Sequence, residues 1–169
     1  MSFSYAIIDT ALGHVGLLHS EAGLYRVVIC PAWEEVAEIV TRDYPAAVES
    51  VDVFGDLPQR IAWYLGGERV TFNDKLDWAG ASAFRRDVWQ ATRAIPYGET
   101  RSYGWVAELI GKPKASRAVG QALAANPMPI VVPCHRVIGS DGSLTGFTGG
   151  IEMKRRLLEI EGALGRVKT

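Results

Sequence analysis

The most chemically suggestive stretch of this chain is residues 126–150, NPMPIVVPCHRVIGSDGSLTGFTGG, in which a cysteine is followed directly by a histidine and an arginine. Three prolines and five glycines punctuate it. The apolar run Ile130, Val131, Val132 reads as a strand-like segment leading into a polar turn at Pro133 and Cys134. A free thiol, with a pKa of about 8.5, is only slightly ionised at neutral pH, so a reactive cysteine needs a base or a nearby positive charge. Consecutive side chains diverge, so His135 would serve Cys134 through a water, and a third group must orient the imidazole. Glu152, Glu159 and Glu161 in the following helical segment are the candidates. Spacing does not choose among them, and a cysteine hydrolase fits the same groups. Cys30 lacks such neighbours and reads as a small buried hydrophobe.

The elements upstream must position this stretch. Ser82 can cap a helix carrying Phe84, Val88, Trp89 and Ala91, which ends before Pro96-Tyr97-Gly98. Ser102 can cap a short helix with Val106, Leu109 and Ile110 on its buried face. Gly111-Lys112-Pro113 makes a tight turn, and a second helix runs from about Lys114 to Ala125, the pattern of a helix-turn-helix. Lys112, Lys114 and Arg117 crowd the entrance to that second helix. From Ala115 to Ala125 it is built of Ala, Ser and Gly at most positions, with Arg117 its one charge. A major-groove reader needs several long polar side chains for base edges. A helix of small residues can instead bring its backbone close to a shallow groove, binding through phosphates and shape. Tight helix–helix packing favours the same small residues.

Residues 1–80 read differently. FSYAIIDT, HVGLLHSE and GLYRVVIC are short, β-branched and aromatic, and are separated by turns at Gly13 and Gly23, which predicts three antiparallel strands. Residues 33–43 follow a helical period with Trp33, Val36, Ala37 and Val40 on one stripe. A second helix is predicted from about Pro58 to Leu65, with Ile61, Ala62 and Leu65 aligned and Gly66-Gly67 ending it. A connector is expected from about Gly67 to Ser82, dividing a domain at 1–80 from one at 81–169. The net charge of −1 conceals an asymmetry: residues 1–80 carry 5 Lys+Arg against 12 Asp+Glu, whereas residues 81–169 carry 13 against 7. A basic surface is therefore expected at one end. Two cysteines exclude a disulfide scaffold, and a reducing cytoplasm fits them. The start MSFSYAIIDT has no secretory pattern, and no apolar run approaches the ~20 residues that span a bilayer.

The ordered set SYG, ASRAVG, NP-x-P-I-x-x-PCHRV and GG-x-x-x-K-x-x-LL-x-x-EG, spanning about residues 83–162, resembles the O6-alkylguanine-DNA alkyltransferase family, also called methylated-DNA–protein-cysteine methyltransferases. That resemblance implies a ribonuclease H-like N-terminal α/β domain and a mostly α C-terminal domain with a winged-helix-like helix-turn-helix. It implies stoichiometric, single-turnover transfer of an alkyl group from guanine O6 to Cys134, and leaves O4-alkylthymine open as a second lesion. His135 is then the water-linked base and Glu161 its orienting carboxylate. Asn126 bridges the recognition helix to the active-site loop. Tyr103 helps rotate the nucleotide and donates to the departing base's ring nitrogen, while Arg117 fills the gap left in the duplex.

Ala115, Ser116, Ala118, Gly120 and Ser140 are implied DNA contacts. Pro129, Val137, Phe147, Thr148, Gly149 and Lys154 are implied around the alkylguanine. The expected partner is double-stranded DNA, bound without regard to sequence through the minor groove by a monomer, with no membrane and no cofactor. Cys30, His14 and His19 make no convincing tetrahedral set, so no metal is expected. A non-catalytic lesion-binding relative lacks the cysteine that is present here. A plain helix-turn-helix regulator accounts for residues 102–126 but gives PCHRV no purpose.

Overall fold

Short runs rich in β-branched and aromatic residues, joined by two-residue turns, build the first hairpins of the protein. The computed structural model describes residues 1–147 and 149–166, in two compact units, 1–79 and 80–169. In the first, β1 (Ser4–Thr10), β2 (Gly13–Ser20) and β3 (Gly23–Cys30) pair antiparallel. Gly13 and Gly23 turn the chain at φ +110 and +147, and at each a Cβ would stand within 2.6 Å of a backbone oxygen.

The sheet has four strands rather than the three expected. β4 (Val48–Glu49) adds parallel to β1, giving the order β3-β2-β1-β4 and making the sheet mixed. Two residues carry no alternation, so this strand has no sequence signature. α1 (Trp33–Asp43) buries Val36 and Val40 against Leu18, but Trp33, expected on the same stripe, is 51% exposed. α2 (Leu57–Leu65) buries Leu57, Ile61, Tyr64 and Leu65. It ends in a Schellman motif at Gly66-Gly67, with Gly67 N donating to Tyr64 O and Glu68 N to Trp63 O. The stretch expected as a connector is partly tied down. Leu24 N donates to Lys75 O and Asp77 N to Leu24 O, and Asp77 accepts from Ser20 Oγ.

The second unit holds α3 (Ala83–Arg93), α4 (Tyr103–Leu109), α5 (Ser116–Ala124) and α6 (Ile151–Ile160), making six α-helices among the described residues. Ser82 caps α3 through Arg85 N, and Ser102 caps α4 through Trp105 N, as their positions predict. α4 ends in a second Schellman motif at Gly111 (φ +77). α5 starts two residues later than expected. Lys112 to Ala115 forms a hydrogen-bonded turn with Pro113 at its second position, and that turn absorbs Lys114. Leu109, expected to be buried, is 54% exposed, and Ala107 takes the inner position instead. α3 and α4 pack on α5, where Trp89 Nε1 donates to Ala122 O across 2.8 Å.

β5 (Arg101–Ser102) and β6 (Val137–Ile138) form a two-residue parallel pair that brings the start of α4 beside the end of the CHR turn. No helix among the described residues is long and apolar enough to cross a membrane.

Candidate active site

Residues 130–132 are not the strand-like segment expected. They form a buried succession of turns in which Ile130 takes φ +76, a conformation that β-branched residues rarely adopt. Asn126, immediately after α5, organises these turns. Its Oδ1 accepts from Met128 N (2.9 Å), while its Nδ2 donates to Val132 O (3.0 Å) and to Cys134 Sγ (3.2 Å). A carboxamide has two N–H donors, and both are used within the loop that carries the thiol. Cys134 opens a 3-10 turn, Cys134–Arg136, and is 5% exposed. Burial pushes its thiol up to about 11, against the opposing effects of the Asn126 hydrogen bond and the Lys154 charge. At neutral pH it is a thiol that needs a base.

The ring of His135, fully buried, points to Glu161, with Nε2 2.6 Å from Oε2. Of the three glutamates that spacing left open, Glu152 and Glu159 are exposed on α6. Glu161 is the C-cap of that helix, where a third Schellman motif at Gly162 (φ +70) turns it inward. A carboxylate at a helix C-terminus opposes the macrodipole, so its charge must be met by other groups. Four donors meet it. Oε1 accepts from Arg136 Nε (2.8 Å) and Gly98 N (3.0 Å), and Oε2 accepts from His135 Nε2 and Arg136 Nη2 (3.0 Å).

Burial alone would raise the Glu161 carboxyl, but the hydrogen bonds and charges of His135 and Arg136 outweigh it and hold the group well below the carboxylate range. An ionised Glu161 requires the hydrogen of neutral His135 on Nε2, which leaves Nδ1 as the ring's basic nitrogen. Burial, more than Glu161 offsets, lowers the imidazole from its ordinary value. Arg136, whose side chain also donates to Ile95 O (2.8 Å), was noted in the sequence only as a neighbour of Cys134. No periodicity reports a fork that closes across 25 residues.

An open groove of about 890 Å³ lies beside these groups, lined by Tyr103, Ser116, Arg117, Gly120, Ser140 and Phe147 of the expected residues. Thr145, Gly104, Gly139, Gly146 and Ala124 also line it and were not anticipated. Ala115 and Ala118 belong to the same helix region but do not line the groove. Phe147 stands edge-on to the His135 ring, with centroids 6.5 Å apart. Gly149 is exposed beside Phe147, close enough that a Cβ would meet that ring at 3.1 Å.

Pro129 and Val137 are buried and do not line the groove, and Thr148 lies outside the described residues. Lys154 is fully buried, donating to Val137 O (2.7 Å) and Thr145 O (3.2 Å), and burial pulls it down to about 8. The Tyr103 hydroxyl is hydrogen-bonded to Thr145 Oγ1. Burial raises the phenol, and the nearby Cys134 adds to that rise. No group of three or more His, Cys, Asp or Glu side chains among the described residues could hold a metal ion.

A thiol latched by an asparagine beside a carboxylate-oriented imidazole, on a helical unit with a groove over small residues, defines a protein that does cysteine chemistry on a docked ligand. Residues 83–163 match the family described as 6-O-methylguanine DNA methyltransferase, DNA binding domain. A methylated-DNA–protein-cysteine methyltransferase of Methanosarcina acetivorans is 41% identical over 160 residues, covering 94% of this chain and 98% of that protein. One from Mycolicibacterium paratuberculosis is 51% identical over 157 residues, covering 93% and 91%. Among solved structures, the Mycobacterium tuberculosis O6-methylguanine methyltransferase superposes with a TM-score of 0.79 at 39% identity, covering 99% of this chain and 96% of that one. The same organism's protein in complex with DNA gives 0.80 at 38% identity, covering 100% and 96%. The chain belongs to the methylated-DNA–protein-cysteine methyltransferase family.

Proposed function

We propose that this protein repairs O6-alkylguanine in DNA by direct reversal, transferring the alkyl group once and irreversibly to Cys134. The observation that carries this reading is a buried thiol that accepts from Asn126 and is followed directly by a histidine paired with Glu161. The thiol proton passes through a water to His135 Nδ1. Sulfur bonds to the alkyl carbon as the carbon–O6 bond breaks, and the released electron pair stays on the base. Tyr103 gives its proton to a ring nitrogen, so guanine leaves neutral and the protein keeps a thioether. A donor aimed at charge that develops only during transfer is where a site gains most rate. The thioether has no acyl bond to hydrolyse, which limits each molecule to one turnover.

The lesion's O6 lies inside the base stack, so the nucleotide must be extruded, at a cost of a few kcal/mol. Arg117, exposed on the groove wall, fills the vacated stack, and the groove beside Tyr103 receives the base. Small residues on α5 and the exposed Ser140 support docking through backbone and shape, without sequence preference and in the minor groove. The β5–β6 pair, with one strand before α4 and the other after α5, supports a winged-helix-like reading of the second unit, and the β3-β2-β1-β4 order a ribonuclease H-like reading of the first. In this reading the protein acts as a cytoplasmic monomer.

The test is intact mass after mixing with a duplex containing one O6-methylguanine. A gain of one methyl in place of one hydrogen, on Cys134 and stopping at one equivalent, is expected. An unchanged mass with retained lesion binding would make this a non-catalytic sensor, and no change with no binding would leave only a helix-turn-helix protein.

A further inference from the structure

We propose that Thr145 is a positioning residue for alkyl transfer, holding the Tyr103 hydroxyl where it donates to the departing base; this rests on the repair reading above. Thr145 uses two atoms on two neighbours of the thiol. Its Oγ1 is hydrogen-bonded to the Tyr103 hydroxyl, and its carbonyl accepts from Lys154 Nζ at 3.2 Å. Lys154 Nζ stands 5.9 Å from the centre of the Tyr103 ring and also donates to Val137 O at 2.7 Å. A Cβ on Gly120 would meet the Tyr103 ring at 3.7 Å, so α5 backs that ring closely. Tyr103 and Thr145 both face the groove. The phenol is therefore fixed by its ring and by its oxygen, and Thr145 is the side chain that holds the oxygen.

The direction of this hydrogen bond follows from proton accounting. A phenol has one proton and a threonine hydroxyl has one. When Tyr103 gives its proton to the guanine nitrogen, Thr145 must donate to Tyr103 Oη. That bond favours the charge building on the phenol oxygen, and it works against the burial that otherwise makes Tyr103 a weaker acid. Thr145 itself neither gains nor loses a proton, so it acts through Tyr103 alone.

A double-mutant cycle tests this, reading alkyl uptake on Cys134 from free O6-benzylguanine and fitting the maximal rate separately from half-saturation. Thr145→Val, which keeps the shape and removes the hydroxyl, is expected to lower the maximal rate roughly three- to tenfold, the value of one hydrogen bond, with half-saturation little changed. Thr145→Ser is expected to recover most of that loss. Thr145→Ala, smaller and facing an open groove, gives the same reading if the valine variant folds poorly. In a Tyr103→Phe background, Thr145→Val is expected to cost nothing more, because the atom it acts through is gone. Losses that multiply in the double variant, or a Thr145→Val protein reacting at the unsubstituted rate, would overturn the role of Thr145 while leaving the repair reading intact. An unsubstituted protein that takes up no alkyl group would overturn both.

Discussion

Two regions lie near the Cys134 thiol, and they are built on opposite principles. On one side the Glu161 carboxylate is buried, ionised and saturated by four donors from His135, Arg136 and Gly98. On the other, Tyr103, Thr145 and Arg117 face an open groove. The buried side fixes a proton-handling group in one tautomer and one orientation, which needs every partner in place. The open side must admit and release a large ligand, so its side chains are held by few bonds. Stability and chemistry are thus coupled on the first side and separable on the second.

Substitutions should divide along that line. Cys134→Ser is expected to abolish transfer while leaving duplex affinity near that of the unsubstituted protein, as intact mass and a binding titration would report; residual transfer would place the acceptor elsewhere. Glu161→Gln leaves Arg136 charged and buried without its counter-ion, and such losses cost about 3–5 kcal/mol. A large drop in the urea midpoint is expected, with slower alkylation and unchanged DNA affinity in the fraction that remains folded. A stable, fully active Glu161→Gln protein would refute the coupling of stability to chemistry.

Arg117→Ala should show the reverse pattern. It is expected to slow repair of a duplex much more than reaction with free O6-benzylguanine, at unchanged melting temperature. Equal losses on both substrates would remove the role assigned to Arg117 in extrusion.

The smallest effect expected is in pH. Because His135 is lowered from its ordinary 6.5, the transfer rate should stay level as pH falls through 6.5 and decline only in more acidic solution. Glu161 is depressed, so its contribution to stability is fully present above the ordinary carboxyl value of 4.5 and is lost as pH falls through its lower folded value. A rate that halves already at neutral pH would mean that Glu161 dominates burial at His135.

The same division separates what the sequence discloses from what it does not. The three long strands, α1, and the serine caps of α3 and α4 are legible because β-branched composition between glycine turns, helical period and cap residues are local signals. The two-residue strands β4, β5 and β6 are too short for any period. Trp33 and Leu109 sit on apolar stripes yet face outward, because a stripe marks a helix face and not the width that its neighbours cover. Cys134, His135 and Asn126 stand out through a compact motif. Arg136 stands in that motif too, but its partner is the C-cap of a helix 25 residues away. Thr145 carries no local signal, since its importance lies in which two side chains meet it.

The three hydrogen bonds of Asn126 also limit what evolution can do at that position. Aspartate would replace the donor facing Val132 O and the Cys134 sulfur with an acceptor, setting oxygen against oxygen. Glutamine would add a methylene where the residue is 2% exposed and the loop around it is closed. Alanine would strand Met128 N, at about 1–3 kcal/mol for a buried group left unmade, and serine, with one O–H, could not serve both Val132 O and the Cys134 sulfur. Among the standard side chains, position 126 has a vocabulary of one.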